Sequence, residues 1–291
     1  MAAIRNIIYA PPLDIPSFQL TVTEGCSHNK CTFCNMFQDI PFRAVPIDEI
    51  ENELREASVD SDSIDRVFMD GGDAFVLPAS RLLEIAELIH RYLPKVEVIA
   101  SYASVKNIMT KTDDELRALA QAGIGEINIG VESGLDDVLS FMNKGFTLSD
   151  AKQQLSRLQK ANMPFSMNII GGAAGAERIR ENALASAELC NEVKPGLIYF
   201  MGLQVNAGTE LERRIQAGKF RKANLGEYLA EETEFLQRLD LENCTYYAAH
   251  MLNPIQLVGE LPNDKERLLQ KLSSGTEAYR KQGLLSHPLN F

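Results

Sequence analysis

The sequence predicts an α/β protein with a parallel sheet, arranged as an incomplete (β/α)6 TIM-like barrel with a C-terminal, mostly helical extension. Two observations support this class. Short apolar runs alternate with segments of helical periodicity about six times between Phe18 and Val205. A complete eight-unit barrel needs about 250 residues, and the alternating part is shorter. We therefore expect a barrel over residues 1–222 and an extension over 223–291 that closes the barrel and shapes a substrate pocket.

Six short apolar runs predict the strands, and several of them end in glycine or small polar residues. In chain order they are Phe18–Thr23, Arg66–Gly72, Val96–Ser101, Glu126–Ser133, Pro164–Gly172 and Gly196–Val205.

The segments between these runs have the spacing of amphipathic helices. Ile47–Ala57 repeats its apolar residues at helical spacing. Ser80–Leu93 is also amphipathic, and Ser80 is its predicted N-cap. Thr112–Gly123 has a Thr cap, acidic residues in its first turn and a closing glycine. Further helices are predicted from about residue 135, over about 149–161 and over about 176–193.

Charge and hydropathy limit the partners of this chain. The net charge is −11 and the pI is about 5.0. Phosphate binding needs a basic face, so nucleic acid is not expected as the main partner. The basic residues between Arg213 and Lys222 are interpreted as a solvated helix surface. No signal peptide is visible, and no apolar run approaches the ~18 residues of a membrane span, so no membrane partner is expected.

Cysteine usage indicates a reducing compartment, because the count of 5 is odd and three of the cysteines are clustered. We expect a cytoplasmic protein. Cys190 lies on a predicted helix and is interpreted as a core residue. It and Cys244 stand apart from the cluster in the sequence.

Cys26, Cys31 and Cys34 form a C-x4-C-x2-C loop directly after the first predicted strand. Three nearby thiolates suit zinc or an iron–sulfur cluster. Zinc would need a fourth ligand, for which His28 is the nearest candidate, but no second set of ligands is present in the sequence. A [4Fe–4S] cluster with three protein ligands leaves one iron open to a substrate or cofactor. In parallel α/β folds such a ligand lies at the carboxyl ends of the strands.

The loop resembles the C-x3-C-x2-C motif of the radical S-adenosylmethionine (SAM) superfamily, with one extra residue in the first gap. Phe33 stands where that family has an aromatic residue before the last cysteine. Asp70–Asp73 is similar to the family's GGE segment, which hydrogen-bonds the amino group of SAM, with Asp73 replacing Glu. Gly130–Gly145 resembles another sequence segment of the same superfamily. That resemblance implies that Glu132 holds the ribose and Lys144 the carboxylate of SAM.

Two later segments extend the resemblance. Asn168–Gly175 is similar to the fifth-strand segment of oxygen-independent coproporphyrinogen oxidase, which implies ribose contact by Asn168 and adenine contact by the backbone near Gly171. Gly202–Leu211 resembles the sixth-strand segment of the same group. The cofactor-binding residues so implied are Phe33, Gly71, Gly72, Asp73, Ser101, Glu132, Lys144, Asn168, Gly171 and Leu203.

The resemblance implies that a [4Fe–4S] cluster on the three cysteines binds SAM and, when reduced, cleaves it. The product is an organic radical, usually 5′-deoxyadenosyl, that abstracts hydrogen from a substrate. An oxygen-sensitive enzyme with an unidentified small-molecule substrate, such as a tetrapyrrole, is therefore expected. Its electron donor would be a flavodoxin or ferredoxin. The alternatives are a non-enzymatic iron–sulfur sensor or carrier, a zinc-stabilised scaffold, and radical modification of RNA or a peptide.

The tail supplies candidate substrate residues. Ala248–Leu269 resembles a tail segment of small radical SAM proteins, with the pattern H-x-x-N followed by G-x-L-P-x-D-K. Tyr246, His250 and Asn253 are therefore candidate pocket residues. The alternative, which we favour, is that they satisfy polar positions in the core.

Overall fold

The structure is a computed structural model that describes residues 9–289. Its strands are β1 (Phe18–Thr21), β2 (Thr23–Glu24), β3 (Arg43–Ala44), β4 (Arg66–Asp70), β5 (Val98–Ala103), β6 (Ile124–Glu132), β7 (Phe165–Gly171), β8 (Leu197–Gly202), β9 (Cys244–Ala248) and β10 (Leu257–Leu261). Its helices are α1 (Ile47–Ala57), α2 (Ala79–Tyr92), α3 (Val105–Met109), α4 (Asp113–Gln121), α5 (Asp136–Phe141), α6 (Leu148–Lys160), α7 (Ile179–Val193), α8 (Glu210–Gln216), α9 (Leu225–Arg238) and α10 (Lys265–Lys281).

The main sheet has eight strands and is mostly parallel. Strands β1, β4, β5 and β6 neighbour one another in that order, and so do β7, β8, β9 and β10. All of these pairs for which a register is defined are parallel except β9 with β10. In the part of the chain that is described, the strand order begins at β1 and ends at β10, as expected for an incomplete barrel. The predicted α/β class is thereby confirmed.

The described residues divide into two compact units. The first contains residues 9–29, 36–129 and 154–165, and the second contains residues 30–35, 130–153 and 166–289. In the first, Phe68 of β4 and Ile50 and Leu54 of α1 are fully buried. In the second, the ring of Phe200 on β8 stacks on that of Phe235, with centroids 5.0 Å apart. The domain boundary predicted between residues 222 and 223 stays a prediction. Residues 1–8 of the first predicted domain and residues 290–291 of the second lie outside the described residues.

Helix boundaries follow the caps that the sequence provides. Helix α1 has the predicted bounds, and it buries Ile50 and Leu54. Thr112 caps α4 in a reciprocal capping box with Glu115, as the sequence predicts. The predicted Ser80 cap is wrong, because α2 begins one residue earlier, at Ala79, after Pro78. Within residues 9–289, no helix is both long and apolar enough to cross a membrane.

The tail contributes two strands that the sequence prediction did not include. Both β9 and β10 alternate buried and part-exposed or exposed residues, as a strand with one covered face does. They pair antiparallel, and β9 also pairs parallel with β8. The remainder of the tail is dominated by α9 and α10, in agreement with the expected helical character.

Candidate cofactor-binding site

Cys26 lies in the first unit, two residues after β2, and its backbone packs against the turn that follows β4. The N–H of Gly72 in that turn donates to the carbonyl oxygen of Gly25 over 2.9 Å. A Cβ atom on Gly72 would lie 2.6 Å from the Cβ of Cys26. Only glycine permits so close an approach, so Gly72 makes room for the first cysteine of the loop.

Asp73 is bound to the residue that follows Cys26. Its carboxylate accepts a 2.8 Å hydrogen bond from the backbone N–H of Ser27 and a short one from the Ser27 hydroxyl. The side-chain amide of Asn107 donates to the same carboxylate over 3.4 Å. Asp73 is only 3% exposed. Asp73 therefore fixes the backbone of the cysteine loop directly after its first cysteine.

The stretch with the second and third cysteines lies in the second unit and is tied to two other segments. The N–H of Thr32 donates to the carbonyl of Met142 over 3.0 Å, and its hydroxyl donates to the carbonyl of Phe141 over 3.1 Å. The carbonyl of Thr32 accepts a 2.9 Å bond from the N–H of Leu211. Asn143 adds a 2.8 Å bond to the carbonyl of Lys30. Thr32 therefore anchors this half of the loop.

Phe33, the aromatic residue before the last cysteine, packs against an apolar cluster of the second unit. This cluster consists of Val138, Met142, Ile170, Ala173, Leu203 and Leu211. The carbonyl of Phe33 accepts a 3.0 Å hydrogen bond from the amide of Asn206. Its ring centroid lies 5.8 Å from the Nζ of Lys144, which is within range of a cation–π contact.

Glu132 and Lys144 form a largely buried ion pair. The Lys144 Nζ lies 2.9 Å from Oε1 of Glu132, with side chains 10% and 9% exposed. Burial alone would lower the pKa of Lys144. The Glu132 carboxylate, followed by the Cys31 and Cys34 thiols, raises that pKa well above its ordinary value. Glu132 and the two thiols therefore favour the charged form of Lys144.

The backbone of Glu132 is in the left-handed region, with φ of +76°. This conformation is costly for a residue with a Cβ atom, and it is often found at functional sites. A Cβ atom on Gly130 would lie 2.3 Å from Glu132 Oε1, so the end of β6 leaves space for the carboxylate. The Glu132 side chain is therefore placed at the end of β6 by an unfavourable backbone conformation.

The predicted residues on β7 and after β8 have different environments. Asn168 lies in the middle of β7, opposite Tyr199 of β8, and is half-buried. Gly171 ends β7, and its carbonyl accepts a 3.0 Å hydrogen bond from the N–H of Leu203. The Leu203 side chain is 1% exposed and belongs to the cluster under Phe33.

Ser101 lies within β5 rather than at its end, and it is fully buried. Its hydroxyl donates to the carbonyl of Tyr102 over 3.0 Å. Its assignment to the cofactor site stays a prediction.

The candidate tail residues have partners within the second unit. The fully buried Tyr246 hydroxyl donates to Glu232 over 3.1 Å. Asn253 donates to the carbonyl of Phe200 over 2.9 Å and to the hydroxyl of Tyr228 over 2.8 Å. His250 Nδ1 accepts the N–H of Leu252 over 3.2 Å, and burial lowers the pKa of His250. These contacts are of the kind expected if the residues satisfy polar positions in the core.

The other thiols are core residues. Cys190 on α7 and Cys244 on β9 are fully buried, and burial raises the pKa of both, that of Cys244 to about 12. Although they are distant in sequence, Cys244 lies close enough to raise the pKa of Cys190 further. Across residues 9–289, no three or more His, Cys, Asp and Glu side chains are grouped as ligands of one metal ion.

Sequence reasoning missed a buried acidic pair on α9, Glu231 and Glu232, which are 1% and 0% exposed. A signal for Glu232 was present, because it falls in the apolar stripe that runs from Leu225 through Tyr228 and Leu229. Burial raises the pKa of each carboxyl to about 8. Ser27 was also missed, since it lies in the variable gap between two cysteines.

The chain is thus an α/β protein with a three-cysteine loop after strands β1 and β2 and charged or glycine-rich ends on later strands of the main sheet. Residues 20–180 match the radical SAM superfamily. The heme chaperone HemW of Bacillus subtilis (strain 168) is 22% identical over 157 residues, which span 52% of this chain and 41% of that protein.

Two solved structures share the fold. Methylornithine synthase (PylB) aligns with a TM-score of 0.57 and 14% identity, covering 94% of this chain and 83% of that one. The radical SAM methyltransferase TsrM from Kitasatospora setae, with cobalamin and a [4Fe–4S] cluster bound, aligns with a TM-score of 0.55 and 16% identity. That alignment covers 71% of this chain and 41% of TsrM.

The superfamily match covers more than half of the 291 residues, and the chain belongs to the radical SAM superfamily. It is therefore an enzyme of a class whose cofactors are a [4Fe–4S] cluster and SAM. The chain spans about two fifths of the length of HemW, and the two structural similarities establish the fold alone.

Proposed function

We propose that Cys26, Cys31 and Cys34 hold the [4Fe–4S] cluster, and that the enzyme uses it to cleave SAM reductively and act on a small molecule. When bound, these cofactors supply an organic radical. The observation that carries the proposal is the position of Lys144, which pairs with Glu132 and has its pKa raised first by Glu132 and then by Cys31 and Cys34. A fixed cation beside two thiolates suits an anionic cluster and the carboxylate of SAM.

The donor chemistry of these residues fits both cofactors. The three cysteines are thiols rather than half-cystines, and thiolate is the ligand that iron–sulfur clusters take. Lys144 has three N–H donors. One of them serves Glu132, and the others can bind the carboxylate of SAM. Glu132 keeps a second carboxylate oxygen that can accept a ribose hydroxyl.

The protein's own part in the reaction is orientation and exclusion of water. Phe33, which lies in the cysteine loop, packs against its apolar cluster. The Asp73 carboxylate accepts hydrogen bonds from the N–H and the hydroxyl of Ser27 and so fixes the loop beside Cys26. In this proposal the backbone near Gly171 borders the adenine and Asn168 the ribose.

A small-molecule substrate fits the surface charge better than RNA does. Three of the five basic residues between Arg213 and Lys222 are paired with acids. Arg213 and Arg214 each contact Glu210 over 3.1 Å. Arg221 contacts Glu227 over 2.9 Å. Much of the positive charge in this part of the surface is therefore compensated by acidic neighbours. We propose a cytoplasmic enzyme that receives electrons from a flavodoxin or ferredoxin.

Anaerobic reconstitution tests the proposal. The purified chain is loaded with iron and sulfide, reduced with dithionite and incubated with SAM, and the SAM products are identified by mass spectrometry. We expect one [4Fe–4S] cluster per chain and cleavage of SAM. HemW is named a heme chaperone, so substrate profiling should include porphyrins and heme beside peptides and RNA.

The control distinguishes the loop from the other thiols. C34A should lose cluster and SAM cleavage together, whereas C190A, which removes a buried thiol on α7, should keep both. A colourless wild-type protein that retains one zinc ion would contradict the proposal. A protein with a cluster but no SAM cleavage would support the iron–sulfur sensor or carrier instead.

A further inference from the structure

The turn that follows β7 is held by a carboxylate from the tail. The N–H of Gly172 donates to Glu231 Oε2 of α9 over 2.7 Å. Gly172 has φ of +85°, a conformation that glycine adopts at little cost. One residue earlier, a Cβ atom on Gly171 would lie 2.7 Å from the Cε2 atom of Tyr228. Helix α9 therefore contacts both glycines of this turn, through two residues one helical turn apart.

The second oxygen of the Glu231 carboxyl group is linked to the end of β6 by two successive hydrogen bonds. Glu231 Oε1 accepts a 2.7 Å hydrogen bond from the side-chain amide of Asn182 on α7. The amide oxygen of Asn182 accepts a 2.5 Å bond from the hydroxyl of Ser133, the residue directly after β6. Ser133, Asn182 and Glu231 are all buried. These hydrogen bonds run from Ser133 through Asn182 and Glu231 to Gly172, and we call this series the buried polar chain.

A buried carboxyl group is an unfavourable choice for packing alone, because taking so polar a group out of water costs free energy that its hydrogen bonds must offset. An apolar residue would fill this face of α9 as its neighbours Tyr228 and Phe235 do. The hydrogen-bonded alternative joins two loops, the one after β6 and the one after β7. Its specific effect is to fix where those loops lie.

We propose that Glu231 and Asn182 are positioning residues for SAM, which they serve by fixing the end of β6 and the turn after β7 in one arrangement. The inference rests on the proposed function, in which Glu132 and the Gly171 backbone bind the ribose and adenine of one nucleoside. Fixing the separation of two contacts on one ligand before binding lowers the cost of ordering the site and so raises affinity. Since α9 begins at Leu225, beyond residues 20–180 of the family match, the tail completes the nucleoside site.

The test measures affinity rather than turnover. S-adenosylhomocysteine, which reports nucleoside binding without cleavage, is titrated by calorimetry into the anaerobic, cluster-loaded full-length protein. E231L removes both acceptors, and we expect its dissociation constant to rise at least tenfold at unchanged iron content. Hydrogen exchange of the Gly172 amide should accelerate by at least tenfold. N182A, which leaves the Glu231–Gly172 bond, should raise the dissociation constant at least threefold.

Glu232 provides the matched control. It is the next residue of α9, is equally buried and binds Tyr246 rather than the β7 turn. E232L should therefore leave the dissociation constant within twofold. If E231L does not yield folded protein, E231Q replaces it, because glutamine keeps the volume of the side chain while placing an N–H donor against Gly172 or Asn182. We expect the dissociation constant of E231Q to rise at least threefold.

Dissociation constants within twofold of wild type in both N182A and the Glu231 variant, at equal cluster content, would overturn the inference. An equal loss in E232L would overturn it too, since that result would indicate general destabilisation. Failure of the wild type to bind S-adenosylhomocysteine would count against the proposed function as well. Tight wild-type binding with unaffected variants would count against the inference alone.

Discussion

The ammonium of Lys144 and the carboxylate of Glu132 are direct partners, with Nζ and Oε1 2.9 Å apart. The sequence resemblance assigns these residues to the carboxylate and the ribose of SAM. In the structure they hold each other, so each side chain is oriented by the other before a ligand arrives. Removal of either partner would leave a largely buried charge uncompensated in the second unit.

We expect K144M to cost about 3–5 kcal/mol of unfolding free energy, because it leaves the largely buried Glu132 carboxylate without its counter-charge. Urea denaturation at pH 7 measures this cost. The control is K152M, which breaks the half-exposed pair of Lys152 with Glu192 and should cost less than about 1 kcal/mol. Equal costs for the two variants would show that the Glu132–Lys144 pair is no better than a surface contact.

D73A should release the segment after the first cysteine. The variant removes the acceptor of both the Ser27 N–H and the Ser27 hydroxyl. We expect about a tenfold or larger rise in the exchange rate of the Ser27 amide, which corresponds to the ~1–3 kcal/mol of a lost charged hydrogen bond. Hydrogen–deuterium exchange with mass spectrometry checks this. S27A, which removes only the hydroxyl, should give a smaller effect, and an unchanged rate in D73A would contradict the prediction.

G72A should disturb the first cysteine by direct steric conflict. Its new methyl group would lie 2.6 Å from the Cβ and 2.8 Å from the Cα of Cys26, and overpacking of this kind costs about 1–3 kcal/mol. We expect lower iron content after reconstitution and a lower melting temperature. In G125A the nearest atom to the new methyl would be Pro164 Cδ at 3.4 Å. That variant should load iron normally, and similar losses in the two would refute the steric explanation.

The fold was predictable because apolar periodicity is a local property of the chain. Helix α1 has the predicted bounds, and all six predicted strands exist with shifts of a few residues at their ends. Strand β10 was missed although Leu257, Gly259 and Leu261 alternate with exposed residues. The start of α2 was misplaced because Pro78, rather than a capping Ser, precedes the helix.

The site was predictable only in part. The motif resemblance pointed to Glu132 and Lys144 and gave each of them a contact with SAM. It did not predict the ion pair that the two residues form with each other. Ser27 and Asp73 are 46 residues apart, and Gly172 and Glu231 are 59 apart. No local pattern links residues at such distances, because their pairing depends on how strands and helices pack.

Glu232 should make the stability of the protein depend on pH. Burial raises the pKa of its carboxyl to about 8, against about 4.3 in an unfolded chain. The folded state therefore binds the proton more tightly. The resulting stabilisation is complete below about pH 4.3 and is lost as the pH rises towards 8, by up to about 1.4 kcal/mol per pH unit.

E232Q should reduce that slope, because an amide does not titrate. Glu231, whose pKa burial also raises to about 8, would keep the remaining dependence. Unfolding free energies from urea titrations at pH 5, 6, 7 and 8 check the prediction. E56Q on the exposed face of α1 is the control and should retain the wild-type slope. A slope in E232Q equal to that of the wild type would contradict the assignment.

The left-handed backbone of Glu132 predicts an unusual order of stability between two variants. E132A and E132G both remove the ion pair with Lys144, so that loss cancels in their comparison. With φ at +76°, alanine still carries the Cβ that makes this conformation cost roughly 1–2 kcal/mol, whereas glycine does not. E132G should therefore be more stable than E132A by about 1 kcal/mol. At Glu56, inside helix α1, the order should reverse, because glycine is the poorer helix former by about 1 kcal/mol. Urea denaturation of the four variants decides the matter: if E132A is the more stable of its pair, as E56A should be of its own, then the strained backbone at the end of β6 is not present in solution.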